Sequence, residues 1–211
     1  MQNLFLITLL LLACSGTDEN PKKQMNTGDD NEETPVIIGE PDPNQPFRFP
    51  LDNYTVLQPF AKFNTRFAKY HSADDLQASA GTAVYASGNG EIIFSGPLSG
   101  YGWLIVIEHS DYGVYSLYGH LSTRRDHRGT GTVNKGDLIA YIGDDDEDGS
   151  GPMDNSGTYP YWAPHLHFAI RTGKKTDYPS TGDDRWMAGY TDAHPKAIGW
   201  LAPGQYVVDT K

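Results

Sequence analysis

The sequence is poor in cysteine, in long apolar runs and in clustered basic residues. Cys14 is the only cysteine, so the folded part of the chain has no disulfide and no thiolate metal ligand. The longest apolar run, residues 4–12, is interrupted only by Thr8 and is too short to cross a bilayer as a helix, which takes about 20 residues. No basic patch stands out, which argues against nucleic acid as a partner. Stability must therefore come from a core, and 211 residues are enough for one domain with appendages.

Acidic residues are abundant but unevenly placed. Residues 15–45 contain eight Asp or Glu side chains against two lysines, and residues 144–148 are all acidic. These two segments account for the whole net charge of −11, so the charge describes a tether and one loop rather than a substrate-binding surface. Residues 15–45 are also rich in Asn, Pro, Thr and Gly, a composition that cannot bury enough surface to fold alone.

The amino terminus has the pattern of an export signal. The apolar run 4–12 has the length of a signal-peptide core, and small residues follow it. Leu11-Leu12-Ala13-Cys14 resembles a bacterial lipobox, which implies cleavage before Cys14 and a lipid on its sulfur. We therefore predict a signal peptide over 1–13, a lipid-anchored flexible linker over 14–45 and one domain over 46–211. An ordinary secretory signal is the alternative, because no Lys or Arg precedes the run.

From residue 47 onward the sequence favours strands. Six short β-prone runs are separated by turns rich in Gly, Asn, Asp and Ser, at residues 82–86, 90–95, 103–109, 113–118, 138–142 and 166–171. No convincing amphipathic helix is present. We predict an all-β fold, an antiparallel sheet arranged as a sandwich or barrel with few or no helices. Residues 172–199 are predicted to form a covering loop, 200–201 and 206–208 to return to the sheet, and 36–38 to be an edge strand.

A pair of histidines two residues apart, His165-Leu166-His167, lies at the start of the last β-prone run. On a strand, residues two apart point to the same face, so the two imidazoles are expected side by side. Neutral imidazole is the commonest metal ligand, yet many such pairs are simply exposed strand residues. The pair becomes informative only together with other side chains.

Two further motifs supply those side chains. His71-x-x-x-Asp75 precedes the strand near residue 82, where a bend could bring both groups to one ion. Asp74 is an alternative ligand, although the spacing favours Asp75. Tyr118-Gly119-His120-Leu121 ends another strand and adds a further imidazole. The remaining histidines, His109, His127 and His194, are expected to be exposed or in loops.

The three motifs, in this order, resemble those of the M23 (lysostaphin/LytM-type) zinc metallopeptidases. Residues 81–86, 90–96 and 133–139 are similar to framework segments of that family, and the resemblance covers about residues 57–171. It implies the lysostaphin-type fold. It also implies that His71, Asp75 and His167 are zinc ligands and that His120 and His165 are catalytic. Two imidazoles and a carboxylate leave a fourth position open for water, the pattern of a catalytic zinc site.

The resemblance implies a mechanism as well. A zinc-bound water attacks the amide, His165 acts as general base and His120 stabilises the intermediate. Tyr118 is either a helper on the same strand face as His120 or a packed aromatic. The segment from Asp144 to Gly149, in which a run of acids precedes the glycine, also matches the first half of a calcium loop. A solvated acidic loop is the alternative.

We therefore predict a zinc endopeptidase that cuts peptide cross-links of bacterial peptidoglycan. The lipid anchor on Cys14 implies the cell envelope, on its periplasmic or outer-surface side. A lipoprotein of a diderm envelope would meet directly cross-linked stem peptides, which implies D,D-endopeptidase action. One alternative is an inactive relative that regulates other cell-wall hydrolases, which the presence of all five motif residues disfavours. Another is a biotinyl- or lipoyl-type carrier, for which Lys135 lacks the hydrophobic flanks.

Overall fold

The computed structural model describes residues 42–144 and 163–211, together with the backbone of residues 36–37. Strands dominate this part of the chain. They are β1 (Val36–Ile37), β2 (Asn53–Gln58), β3 (Phe63–Asn64), β4 (Lys69–His71), β5 (Asp74–Gln77), β6 (Ala83–Tyr85), β7 (Gly90–Leu98), β8 (Gly102–His109), β9 (Val114–Leu121), β10 (Gly131–Val133), β11 (Leu138–Tyr141), β12 (His165–Thr172), β13 (Tyr190–Thr191) and β14 (Trp200–Leu201). Short 3-10 turns lie at Ser110–Tyr112, Lys175–Asp177 and Pro195–Ile198, and the helix α1 spans Pro203–Asp209.

Nine strands form one antiparallel sheet in the order β1-β2-β5-β12-β9-β8-β7-β10, with β14 also paired to β12. Two smaller antiparallel sheets, β11-β6 and β13-β4-β3, accompany it. The predicted all-β antiparallel fold is confirmed, and all six β-prone runs contain strands. Strand β12 lies between β5 and β9, so its two neighbours carry Asp75 and His120 of the other predicted motifs.

The strand alternation of β12 separates two hydrophobic clusters. Leu166, Phe168 and Ile170 lie on one face and join a cluster that includes the strands β6 and β11. Ala169 lies on the opposite face with Trp186 and Trp200, in a second cluster that includes the segment after β12. Fully burying a large apolar side chain contributes about 1.5–3 kcal/mol, so both faces of β12 are held firmly.

The amino-terminal edge of the sheet is occupied by part of the predicted linker. Val36 pairs with Tyr54 and Ile37 with Asn53, which confirms the predicted edge strand. Lys135 then holds residues 42–45 against the domain, because its Nζ donates to the carbonyl oxygens of Asp42 and Pro43 at 3.1 and 3.3 Å and to that of Gln45.

The carboxyl terminus agrees with the sequence in one place and differs in another. Residues 200–201 return to the sheet as predicted, with Trp200 opposite Arg171. The prediction of a strand at 206–208 is wrong, because these residues lie in α1. Pro203 fixes the φ angle at the start of that helix. Pro203 and Val207, four residues apart, are both buried while Val208 is 52% exposed, a helical period that three residues were too few to reveal.

Several predictions concern residues outside the described ranges. They are the signal peptide over 1–13, the lipidation of Cys14, most of the linker, and the candidate calcium loop apart from Asp144. Among the described residues, no helix has the length and apolar character needed to cross a membrane.

Candidate functional site

The pairing of β12 with β5 brings the His pair to the aspartate of the first motif. His167 lies directly opposite Asp75, and His165 lies opposite Gln77. Asp74 is opposite Phe168 and so points to the other face. Its carboxylate accepts hydrogen bonds from the backbone amides of Phe60 at 2.8 Å and Gly204 at 3.1 Å. The strand register therefore favours Asp75 over Asp74 at the site.

His71 completes a triangle of donor atoms with Asp75 and His167. Nε2 of His71 lies 3.2 Å from Oδ1 of Asp75 and 3.4 Å from Nδ1 of His167. The third side, from Nδ1 of His167 to Oδ1 of Asp75, measures 3.1 Å. All three side chains are buried, with at most 3% of each residue exposed.

These distances fit a small tetrahedral cation. Zinc–nitrogen and zinc–oxygen bonds of about 2.0–2.1 Å place the ligand atoms of a tetrahedral site about 3.3 Å apart, close to the three sides of the triangle. The His71, Asp75 and His167 cluster is also a geometrically possible metal site among the described residues. Two imidazoles and a carboxylate are the donor set of several catalytic zinc sites.

Burial and neighbouring charges set the pKa values of His167, His165 and Asp75. Burial lowers the pKa of His167 to about 4. Burial and the neighbouring His120 likewise lower the pKa of His165 to about 4. Burial alone would raise the pKa of Asp75, but the charge on His71 and hydrogen bonds from His167 and His71 hold it well below its usual range. The site therefore favours neutral imidazoles at His165 and His167 beside an ionised Asp75, the protonation states that bind metals.

His165 lies at the border of the triangle. Its Nε2 is 3.8 Å from Oδ1 of Asp75, and its Nδ1 is 2.9 Å from the carbonyl oxygen of Ala163. Because a carbonyl can only accept, Nδ1 carries the proton. In the neutral ring, Nε2 is then left with a lone pair directed toward the site.

His120 reaches the same place through an unusual backbone. Gly119 pairs with His167, so strict alternation would send the next side chain to the opposite face. The φ angle of His120 is +58°, a left-handed conformation that costs a non-glycine residue about 1–3 kcal/mol. This turn brings the His120 ring to 4.6 Å from that of His165 and 5.9 Å from that of His167, between centroids.

The same turn separates His120 from Tyr118. Tyr118 packs against Phe168 in the first hydrophobic cluster and is fully buried. Its hydroxyl accepts a hydrogen bond from the Ser87 amide at 2.9 Å. The expectation that Tyr118 shares a face with His120 is therefore wrong, and the packed-aromatic alternative is correct.

The other three histidines stay outside the site. His127 is half-buried in a loop beside Trp103, and His194 is exposed. The expectation for His109 is wrong, because it ends β8 and is only 1% exposed. Its Nδ1 lies 2.8 Å from the carbonyl oxygen of Asn89 and its Nε2 2.7 Å from Oγ of Ser116. This imidazole fills a buried polar network on the far side of the sheet.

Two residues that the sequence did not single out shape the site. A Cβ on Gly119 would lie 2.4 Å from Cδ1 of Tyr101 and 3.4 Å from Cβ of His167. Glycine therefore makes room for the Tyr101 ring, which meets the His167 ring edge-on at 5.2 Å. The carbonyl of Tyr101 also accepts the His120 amide at 2.8 Å. The glycine before His120 was the available signal for this close approach; Tyr101 had none.

A groove of about 250 Å³ opens at the site. His120 and His167 line it together with Tyr101 and Tyr190. Three charged side chains also line this groove: Lys69, Asp183 and Arg185. All five predicted residues thus lie together beside this groove.

Comparison with known proteins agrees with this arrangement. A family model described as "Peptidase family M23" matches residues 69–179, just over half of the chain. Over 103 residues the chain is 34% identical to the DD-carboxypeptidase/endopeptidase Mpg of Neisseria meningitidis serogroup B, a match that covers 49% of this chain and 20% of that protein. Over 73 residues it is 38% identical to the uncharacterized lipoprotein YgeR of Escherichia coli (strain K12), covering 34% of this chain and 28% of that protein.

The fold also has solved relatives. The catalytic domain of lysostaphin from Staphylococcus simulans aligns with a TM-score of 0.50 at 19% identity, covering 74% of this chain and 93% of that domain. At this identity the likeness concerns the fold alone, and it agrees with the lysostaphin-type fold expected from the sequence. The matched segment contains four histidines and the aspartate that the fold brings together, and on that match this chain belongs to peptidase family M23.

Proposed function

We propose that this protein is a zinc-dependent endopeptidase that hydrolyses D,D-peptide cross-links of bacterial peptidoglycan. The donor triangle of His71, Asp75 and His167, with two more imidazoles at its border, is the observation that carries the proposal. Membership of a peptidase family supports the reaction class. The name of the Neisseria relative, a DD-carboxypeptidase/endopeptidase, supports the choice of bond.

His71, Asp75 and His167 would hold the zinc. A bound zinc supplies Lewis acidity, which polarises a peptide carbonyl and lowers the pKa of a water molecule toward neutrality. The three ligands contribute rigidity, because each is buried on a strand or at its end. The negative charge of Asp75 and the nitrogen lone pairs of two neutral imidazoles favour a divalent cation over a neutral occupant.

His165 would act as the general base. Its protonated Nδ1 is fixed by the carbonyl of Ala163 at 2.9 Å, so its Nε2 can accept the proton of the attacking water. The lowered pKa keeps this imidazole neutral at physiological pH, as a base requires. The same nitrogen can then give the proton to the leaving amine.

His120 would stabilise the tetrahedral intermediate. Its ring lies beside His165 and lines the groove, so an N–H can donate to the oxygen that becomes negatively charged. The left-handed backbone of His120 supports a functional role, because strained residues persist where the surrounding structure requires them. The hydrogen bond that the His120 amide donates to the Tyr101 carbonyl fixes that conformation.

The test is paired measurement of zinc content and muropeptide turnover on alanine variants of the full-length chain. His167→Ala is expected to lose zinc, because one of three ligands is gone. His165→Ala is expected to keep zinc and lose about 10²–10⁴ in turnover. His120→Ala is expected to keep zinc and lose about 10²–10³. The exposed His194→Ala is the control and should change neither quantity.

Two outcomes would contradict these assignments. If His165→Ala loses its zinc while His167→Ala keeps it, the roles within the pair are reversed. If both variants keep zinc and full turnover, the reactive site lies elsewhere and the peptidase proposal fails.

The anchor is part of the same proposal. Cleavage after residue 13, a lipid on Cys14 and a linker over 14–45 would hold the domain over 46–211 at an envelope membrane, near peptidoglycan. The name of the YgeR relative, a lipoprotein, supports this weakly, since only 34% of this chain is matched. Cys14→Ser should move the protein from the membrane to the soluble fraction. Membrane partitioning that survives this substitution unchanged would refute the anchor.

A further inference from the structure

Within the part of the chain that the structure describes, the groove beside the site contains one cation, Arg185, that no carboxylate pairs with. Lys69 and Asp183 pair there, with Nζ and Oδ2 2.5 Å apart. Arg185 donates from Nη1 to the carbonyl oxygen of Gly182 at 3.0 Å. Within residues 42–144 and 163–211, Arg185 forms no ion pair. The positive charge that this groove offers to a ligand is therefore that of Arg185.

The backbone around Arg185 is anchored on both sides. Oδ1 of Asp184 accepts the amides of Asp192 at 3.2 Å and Ala193 at 3.3 Å. Trp186 is buried, and its Nε1 donates to the carbonyl of Gly173 at 3.1 Å. The half-buried Arg185 side chain is thus presented from a fixed frame, which reduces the ordering cost of binding.

The proposed substrate has a complementary charge in the right part of the molecule. A D,D-bond joins a carbonyl to an amine on a D-configured α-carbon, and that carbon also carries a carboxyl group. In a direct cross-link, or in a terminal D,D-dipeptide, this carboxylate is free and one carbon from the scissile nitrogen. In a glycine bridge the corresponding group is a neutral amide. A groove that binds this carboxylate would therefore distinguish direct cross-links from glycine bridges.

We infer that Arg185 binds the carboxylate on the leaving-group side of the scissile D,D-bond and so selects direct cross-links over glycine bridges. The inference rests on the proposed function and names the substrate class of that same site. Guanidinium groups recognise carboxylates through two parallel N–H···O bonds. Arg185 lines the same groove as His120 and His167, so the scissile bond and the carboxylate beside it can be held at the same time.

The experiment compares two synthetic muropeptide dimers on the zinc-loaded full-length chain. They are identical except that the carboxyl group next to the scissile amine is free in one and amidated in the other. The wild type should prefer the free acid by about 10–100-fold in kcat/KM, the usual worth of a charged hydrogen bond. Arg185→Gln should bring the ratio close to one by slowing only the free acid, and Arg185→Lys should keep part of the preference.

Arg128→Gln is the matched control. Arg128 does not line the groove, and its Nη1 pairs with Oδ2 of Asp137 at 3.2 Å, so this variant should keep the full preference. Equal cleavage of both dimers by the wild type would overturn the inference and leave the peptidase proposal standing. Equal slowing of both dimers by Arg185→Gln would give Arg185 a structural role and overturn it too. A zinc-loaded wild type that cuts neither dimer would refute the proposed function, and the inference with it.

Discussion

Gly119→Ala tests whether the packing beneath the site is as tight as the structure indicates. The new methyl group would lie 2.4 and 3.0 Å from two carbons of the Tyr101 ring and 3.4 Å from Cβ of His167. Real Cβ contacts are ordinarily 3.4 Å or longer, so the ring has to move by about 1 Å, in an interior that is close-packed.

The Tyr101 ring has little freedom to move. Tyr101 is only 3% exposed, and its hydroxyl donates to the carbonyl of Met187 at 3.3 Å. Overpacking of this kind destabilises the fold by about 1–3 kcal/mol. Replacing glycine by alanine also reduces the conformational entropy of the unfolded chain, which stabilises the fold by about 0.4–1 kcal/mol. We expect a net loss of about 1–2 kcal/mol in unfolding free energy, or a Tm lower by about 2–8 °C in a domain of this size.

The assay is thermal unfolding of the zinc-free protein in chelator, because metal binding would add its own stabilisation. Gly96→Ala on β7 is the matched control. A Cβ there meets only the Phe94 ring, at 3.5 Å or more, so Gly96→Ala should be neutral or stabilise by up to about 1 kcal/mol. Zinc affinity should fall only in Gly119→Ala, because the displaced ring presses on His167 and His120.

An unchanged Tm and zinc affinity in Gly119→Ala would refute the reasoning. Such a result would mean that the Tyr101 ring has room to retreat. An equal loss in both glycine variants would instead point to the general cost of a side chain in this sheet, rather than to contact with Tyr101.

Three further predictions concern buried polar groups. Asp74→Asn should lower the free energy of unfolding by about 1–2 kcal/mol, because the single oxygen of an amide cannot replace both carboxylate oxygens as acceptors of the two backbone N–H bonds. In elemental analysis Asp74→Asn should keep zinc and Asp75→Asn should lose it; the reverse pattern would exchange their roles. Burial lowers the folded-state pKa of His109. As the pH falls below about 6.5, the unfolded chain therefore binds a proton that the folded chain does not, and stability decreases. In urea titrations from pH 7.5 to 5 the wild type should lose up to about 1.4 kcal/mol per pH unit more than His109→Gln, with His194→Gln resembling the wild type; parallel profiles would refute this. Arg171→Lys should lower the free energy of unfolding by at least about 2 kcal/mol and speed proteolysis within residues 173–199. The reason is that one lysine ammonium cannot replace the two guanidinium nitrogens that bind the carbonyls of residues 186 and 198; unchanged cleavage would contradict this prediction.

Much of the site was predictable because strand geometry is simple. The two-residue period of a strand put His165 and His167 on one face, and the β12–β5 register set Asp75 opposite His167. The spacing from His71 favoured Asp75 over Asp74, and the strand register agrees, because Asp74 lies opposite Phe168 on the other face. A spacing argument succeeds here because each ligand lies within or at the end of a regular strand.

The predictions that failed depend on single residues and on distant packing. The left-handed φ of His120 places its side chain on the face opposite to the one that strand alternation predicts, and no local sequence pattern indicates this conformation. His109 is polar but buried, because Asn89 and Ser116, 20 and 7 residues away in the sequence, satisfy both of its nitrogens. The carboxyl-terminal residues 206–208 are too few to show a helical period. In each case tertiary contacts, rather than local preference, decide the outcome.

The face of β12 that carries the His pair also organises the groove. Two residues beyond Ala169 on that face lies Arg171, fully buried, with its guanidinium 3.7 Å from the Tyr178 ring and 4.3 Å from the Trp200 ring. Its Nη2 donates to the carbonyl of Ile198 at 3.0 Å, and its Nη1 to that of Trp186. A buried cation is stable only when its donors are satisfied, so the segment that follows β12 must fold over this guanidinium. That segment carries Arg185 and Tyr190 to the groove. One face of β12 therefore carries the candidate ligand His167 and the candidate base His165, and it also positions the residue proposed to select the substrate.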